Sequence, residues 1–183
     1  MDSTRAYRLG YMVSLMLYIL IAYTSKALYP RSQILDIVLT SALLGSLMGI
    51  SAVYGPGKGL IASVLTYLLY IVYDVHLESV SFIEGASANL KLFVSNSLMS
   101  ILVGGFTSSL NVGSILLWSF LSQILSEVLV NIINVSRNPI YYVFTAIPYN
   151  SPAYILNSFA SLTYSFIYLG LLRTLAKRSP VKA

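Results

Sequence analysis

The stretch from residue 114 to 135 carries polar side chains at a helical spacing. The polar positions recur at intervals of four, four, four and three residues: Ser119, Gln123, Glu127, Asn131 and Asn134. This periodicity places all of them on one face of an α-helix. Because the intervening residues are mostly apolar, we expect this face to point toward other protein or a cavity and not toward lipid.

Glu127 is the acidic residue that falls well inside an apolar stretch, where a charge costs on the order of 3 kcal/mol. It therefore needs a partner, a proton or a cavity. Neighbouring stretches offer further polar residues, and the sequence predicts a ligand-binding pocket or ion path lined by Gln123, Glu127, Asn131, Asn96, Asn157 and Tyr164. The alternative is a hydrogen-bond network that only holds helices together, with each link contributing about 1 kcal/mol or less.

Small residues recur every fourth position at Ser41, Gly45 and Gly49, and Gly104 belongs to a similar pattern further along the chain. Such a stripe leaves a groove in which another helix backbone approaches closely. The pattern predicts packing inside a helical bundle or, alternatively, docking of a partner subunit.

The elements that position these residues follow from composition. Of the 183 residues, 57% are hydrophobic and 9% are charged, against about 25% charged in soluble proteins. We therefore predict an all-α, polytopic transmembrane bundle that forms a single domain over residues 1–183. About six spans are expected, at about 7–27, 33–54, 60–75, 92–110, 114–135 and 153–172.

Two polar stretches interrupt these predicted spans. The first, with Asp74, Glu84 and Lys91, predicts an interfacial loop. The second, from Ser136 to Pro152, is rich in proline and tyrosine and predicts a broken segment along the membrane interface.

Basic residues indicate the orientation of the chain. Seven fall on the side of the termini, namely Arg5, Arg8, Lys58, Arg173, Lys177, Arg178 and Lys182, against four on the other side, Lys26, Arg31, Lys91 and Arg137. Because cytoplasmic ends carry the excess of Lys and Arg, we predict that both termini are cytoplasmic.

Several classes of function lack their signature. The chain has no cysteine, and its basic residues are scattered and not clustered as in a nucleic-acid-binding surface. We expect no enzyme activity and no cofactor, because no acid, base and nucleophile are recognisable together. Asp74, His76 and Glu78 alternate donor atoms, but a pattern this unspecific does not predict a metal site.

The chain resembles the substrate-binding S component of energy-coupling-factor transporters. The likeness is architectural and rests on a six-span chain, the run Gly55, Pro56, Gly57, and Pro148, Tyr149, Asn150 before the last span. The family's Ala-xxx-Ala motif in span 1 is replaced by Ala22 and Lys26, and the nearest substitutes are Gly45 and Gly49. The resemblance implies capture of a vitamin or metal ion from outside, followed by toppling in the membrane with a coupling protein and two ATPases.

Two functions remain open from the sequence. The first is a solute-binding or transport subunit of the cell membrane, with a small-molecule ligand and other membrane subunits as partners. The second is a noncatalytic accessory subunit of a larger respiratory or secretory membrane complex, in which the small-residue stripes contact neighbouring subunits. No nucleic-acid partner is expected from either.

Overall fold

A computed structural model describes residues 3–28, 33–107, 110–134 and 139–177. The described residues form six helices: α1 (Ser3–Leu28), α2 (Gln33–Tyr54), α3 (Pro56–Leu77), α4 (Phe82–Phe106), α5 (Val112–Asn134) and α6 (Pro139–Lys177). Each of the six is long and apolar enough to cross a membrane. The prediction of an all-helical, six-span bundle is confirmed.

Helix α2 lies at the centre of the bundle. In its spanning segment 61% of the residues are buried, against 28% to 33% in the other five described spans. Leu47 and Ile50 of α2 pack with Tyr18 of α1 and Tyr168 of α6, and all four side chains are fully or almost fully buried. The outer helices expose large apolar side chains such as Met16 and Ile83, as expected for surfaces in contact with lipid.

A single residue, Gly55, separates α2 from α3. Its φ of +87° lies in the left-handed region that favours glycine, and Pro56 begins the next helix with its ring preset for the first turn. Gly104 of α4 packs directly against this turn, since a Cβ on Gly104 would lie 2.5 Å from the backbone nitrogen of Pro56. The close approach explains why a small residue occupies that position of α4.

Helix α4 begins ten residues earlier than its predicted span, so the prediction of an interfacial loop that includes Glu84 and Lys91 is wrong. A capping box starts the helix. The Ser81 hydroxyl accepts a hydrogen bond from the Glu84 backbone N–H at 3.3 Å, and the Glu84 carboxylate accepts one from the Ser81 backbone N–H at 3.1 Å. This local signal starts the helix despite the polar composition of its first turns.

The expected break between residues 139 and 152 is also wrong, because α6 is helical through both Pro148 and Pro152. Pro152 lacks the N–H that would bind the carbonyl oxygen of Pro148, four residues earlier. The Ser151 hydroxyl donates a hydrogen bond to that carbonyl at 2.9 Å instead. A neighbouring side chain thus satisfies the backbone group that the proline leaves open. The first part of the predicted segment, residues 136–138, lies outside the described residues.

An ion pair joins the ends of α1 and α3. Lys26 Nζ lies 2.6 Å from Asp74 Oδ1, and Asn89 of α4 donates a hydrogen bond to Asp74 Oδ2 at 2.6 Å. The Lys26 ammonium also lies within 6 Å of the ring centroids of Tyr70 and Tyr73. Asp74 is therefore a buried structural anchor between three helices and not a residue of an interfacial loop.

Candidate functional site

The polar face of α5 points into the protein, where it meets a polar face of α6. Ser119 and Gln123 are 0% and 4% exposed. Three side-chain hydrogen bonds join the facing pairs: Ser119 to Ser161 at 2.8 Å, Asn157 to Gln123 at 2.7 Å, and Asn150 to Glu127 at 2.9 Å. The two helices run antiparallel and are connected along their length by these bonds. The inward orientation predicted for the α5 face is correct for its described side chains.

Gln123 has hydrogen-bond partners at both ends of its side-chain amide. Its Nε2 donates to the backbone carbonyls of Ser119 at 2.8 Å and Tyr154 at 3.1 Å. Its Oε1 accepts the hydrogen bond from Asn157. Because both ends of the amide have partners, Gln123 holds α5 and α6 at a fixed separation.

Next to this network lies a cavity of about 430 Å³ between α4, α5 and α6, with Leu44 of α2 in its wall. It is lined by residues 88–99 of α4, the second half of α5 and the first half of α6, so it lies toward the end of the bundle opposite the start of α1 and the end of α6. Its volume is within the range of roughly 300–1,000 Å³ found for small-molecule sites. Lys91, Leu92 and Met99 contribute its α4 wall.

Four of the six predicted ligand-binding residues line this one cavity: Asn96, Gln123, Glu127 and Asn157. Tyr164 does not. Its side chain packs against Gly49, and its ring centroid lies 5.9 Å from that of Tyr168. Asn131 belongs to α5, but its side chain lies outside the described part of the structure.

The lining residues that were missed from the sequence include Lys91, Asn150 and Tyr154. Asn150, Tyr154 and Asn157 follow one another at intervals of four and three, which is a helical stripe. This stripe was not predicted, because the prolines were interpreted as a break in the helix and Asn150 was therefore placed in a loop. Lys91 was missed because the first turns of α4 were predicted to be a loop.

The cavity wall carries buried polar atoms that make no hydrogen bond to any described residue. They are Asn96 Oδ1, Asn157 Oδ1 and Tyr154 Oη, on side chains that are 1%, 5% and 7% exposed. Buried polar atoms in proteins are nearly always paired, and each exception calls for an explanation such as a bound molecule. All three residues line the same cavity.

The small-residue stripe on α2 is filled by α6 of the same chain. A Cβ on Gly45 would lie 2.5 Å from the Cβ of Ala160, and one on Gly49 would lie 2.9 Å from the Cβ of Tyr164. Ser41 is buried as well. Gly104 of α4 packs against the turn between α2 and α3. All of these small residues therefore pack within the bundle. The groove on α2 is therefore not open to a partner subunit.

The structure separates the alternating donor residues at the end of α3. Asp74 is buried and paired with Lys26, whereas His76 and Glu78 are exposed. Within the described ranges no three acidic or histidine residues come together in a way that could hold a metal ion. We therefore assign no role in metal binding to this segment.

Comparison with known proteins gives no relative, because no protein family, no curated protein and no solved structure matches the chain.

Proposed function

We propose that this six-span membrane protein is the solute-binding subunit of a transport system and that the cavity between α4, α5 and α6 is its binding site. One observation carries the proposal. Three residues that line a single cavity, Asn96, Tyr154 and Asn157, each carry a buried polar atom with no described partner. A network that served only to join helices would pair these atoms with one another.

The position of the cavity supports uptake. It lies in the half of the bundle away from the termini, so if both termini are cytoplasmic it faces the outside of the cell membrane. A small subunit of this kind would capture its solute there and work with other membrane subunits for translocation. The resemblance to the S components of energy-coupling-factor transporters agrees with such a division of labour.

Native mass spectrometry of the gently solubilised protein tests the proposal. We expect the protein to retain a small molecule of a size that the cavity accommodates. Tyr154→Phe removes only a hydroxyl group in the cavity wall, and we expect it to lower the retained fraction about tenfold. Tyr23→Phe is the matched control, because it deletes the same group from an exposed ring on α1.

An accessory role predicts another outcome of the same measurement. The protein would then carry bound subunits but no small molecule, and Tyr154→Phe would behave like Tyr23→Phe. That result would refute the solute-binding function.

A further inference from the structure

An apolar groove runs along the outer surface of the bundle between α1 and α3. Its volume is about 810 Å³, and its described lining residues are aliphatic or methionine apart from Tyr23. From Val13 to Tyr23 it extends for about 15 Å along α1, which is about half the thickness of the hydrocarbon core of a bilayer. The groove is separate from the cavity between α4, α5 and α6.

Each wall of the groove carries a cation on the helix stripe that lines it. On α1, Arg8 lies seven residues before the lining residue Leu15. On α3, Lys58 lies seven residues before the lining residue Leu65. Seven residues are close to two helical turns, so each cation lies in line with the groove on its own helix.

The two cations lie at the same level of the bundle, because α1 and α3 are adjacent there. The Tyr11 hydroxyl donates a hydrogen bond to the backbone carbonyl of Lys58 at 3.3 Å, and Lys58 Nζ lies 4.7 Å from the centroid of the Tyr11 ring. Arg8 is exposed and lies one turn before Tyr11, and Arg5 is exposed one turn further back. At the end that holds the start of α1, the groove therefore leads to three cations.

These cations have no anionic counterpart in the described part of the chain. Its acidic residues all lie in the opposite half of the bundle: Asp36, Asp74, Glu78, Glu84 and Glu127. Asp2 lies outside the described residues. None of the three cations forms an ion pair with a described residue. An anion beside them would therefore meet uncompensated positive charge.

The composition of the groove favours a lipid chain over another helix. Membrane helices pack closely through small residues, as Gly45 and Gly49 do inside this bundle. The described lining of the groove contains no glycine, alanine, serine or threonine, and its side chains include the flexible Met16, which is 70% exposed. A second copy of the chain in the same orientation would also bring its own cations to this level, where like charges repel.

We propose that the groove between α1 and α3 binds an anionic phospholipid, with an acyl chain between the two helices and the headgroup phosphate held by Arg8, Lys58 and the nearby Arg5. Basic side chains at a membrane surface attract anionic headgroups, and the apolar groove turns this attraction into a defined site. The inference goes beyond the proposed solute-binding function and does not depend on it.

Fluorescence quenching by brominated acyl chains tests the proposal. The single tryptophan of the chain, Trp118 on α5, is first replaced by phenylalanine. In that background Leu20→Trp places a tryptophan in the groove, and Ile155→Trp places one on an exposed position of α6 as the control. Each protein is reconstituted in dioleoylphosphatidylcholine vesicles that contain a minor fraction of either dibrominated phosphatidylglycerol or dibrominated phosphatidylcholine.

We expect the anionic lipid to be preferred in the groove alone. From the quenching of Leu20→Trp, phosphatidylglycerol should bind about tenfold more tightly than phosphatidylcholine, whereas Ile155→Trp should show no preference. Adding Arg8→Gln together with Lys58→Gln should abolish the preference in the groove.

A second pair of substitutions separates a site from the general charge of this end. Arg173→Gln with Lys177→Gln also removes two exposed cations, but from the end of α6. Helix α6 packs on another face of α1, where a Cβ on Gly10 would lie 2.7 Å from Leu172 Cδ2. We expect this variant to keep the preference for the anionic lipid.

The other outcomes overturn the proposal. Equal quenching of Leu20→Trp by the two lipids would show that the groove does not select an anion, and an equal loss in the two charge variants would show an effect of overall charge. Quenching of Ile155→Trp but not of Leu20→Trp by either lipid would show that protein covers the groove, and cross-linking in the vesicles would then reveal a second copy. If Leu20→Trp does not fold, Met16→Trp replaces it, since that side chain is more exposed.

Discussion

Asn157 of α6 donates its side-chain N–H to Oε1 of Gln123 on α5 at 2.7 Å, and this bond lies between the α5–α6 contact and the cavity. On one side of it Gln123 reaches the backbone of both helices. On the other side Asn157 is one of the residues that line the cavity. The same contact therefore holds the helix pair and orients a residue of the proposed binding site.

Replacing Gln123 is expected to affect stability and binding together. Gln123→Ala removes the donor to two backbone carbonyls and frees Asn157 to rotate, so we expect a loss of about 1–2 kcal/mol in stability and a smaller fraction of protein that retains a small molecule. Thermal unfolding in detergent and native mass spectrometry measure the two effects. Ser119→Ala, which deletes one hydroxyl contact further from the cavity, is the control and should lower stability alone. Unchanged binding by Gln123→Ala would contradict the orienting role.

Gly45→Leu is expected to damage the bundle itself. The added atoms would overlap the backbone of Ala160, where a Cβ alone already lies 2.7 Å from the carbonyl carbon. We expect a loss of about 3 kcal/mol, visible as a lower melting temperature and aggregation on size exclusion. Gly170→Leu is the matched control, because a Cβ there meets nothing within 4 Å. A stable Gly45→Leu protein that had lost only a partner subunit would instead support the accessory function.

The ion pair between Lys26 and Asp74 predicts a double-mutant result. Lys26→Met leaves the buried Asp74 carboxylate with Asn89 but without its cation, and we expect a loss of about 3 kcal/mol. Adding Asp74→Asn removes the stranded charge and should restore most of that stability. Unfolding of the two single variants and the double variant in detergent gives the coupling energy. Additive losses would show that the two side chains do not interact.

Ser151 is expected to protect the proline-containing turn of α6. Ser151→Ala leaves the carbonyl of Pro148 without the hydroxyl that replaces the missing N–H of Pro152, so local opening should become about two- to fivefold more frequent. Hydrogen exchange of the amides around residues 149–155 reports it. Ser165→Ala is the control, since its hydroxyl binds the carbonyl of Ser161, which has a regular helical N–H partner as well. Equal exchange in the two variants would argue against this role of Ser151.

The fold could be predicted because hydrophobicity and length alone specify a membrane-spanning helix. The errors occurred where a local interaction outweighed composition. The capping box of Ser81 and Glu84 began α4 before its apolar stretch, and Ser151 supported a helix across Pro152. Both signals depend on individual hydrogen bonds, and an average of hydrophobicity over many residues does not detect them.

The candidate site could be predicted in part for a similar reason. Gln123 and Glu127 share one helix face through the period of the helix, and that is visible in a sequence. Which α6 residues face them depends on how two helices are aligned along each other, and this is a property of the packed bundle. Tyr164, predicted for the site, therefore packs on Gly49, while Tyr154 and Asn150 line the cavity.

Gly55 has a consequence for biosynthesis. With one residue between the end of α2 and the start of α3, the chain has no slack for these two segments to enter a bilayer at different times. We therefore expect the insertion machinery to take them in as one helical hairpin, whose tip is formed by Gly55 and Pro56. Lengthening this tip would let the central helix of the protein insert alone, without the neighbour that follows it in the chain.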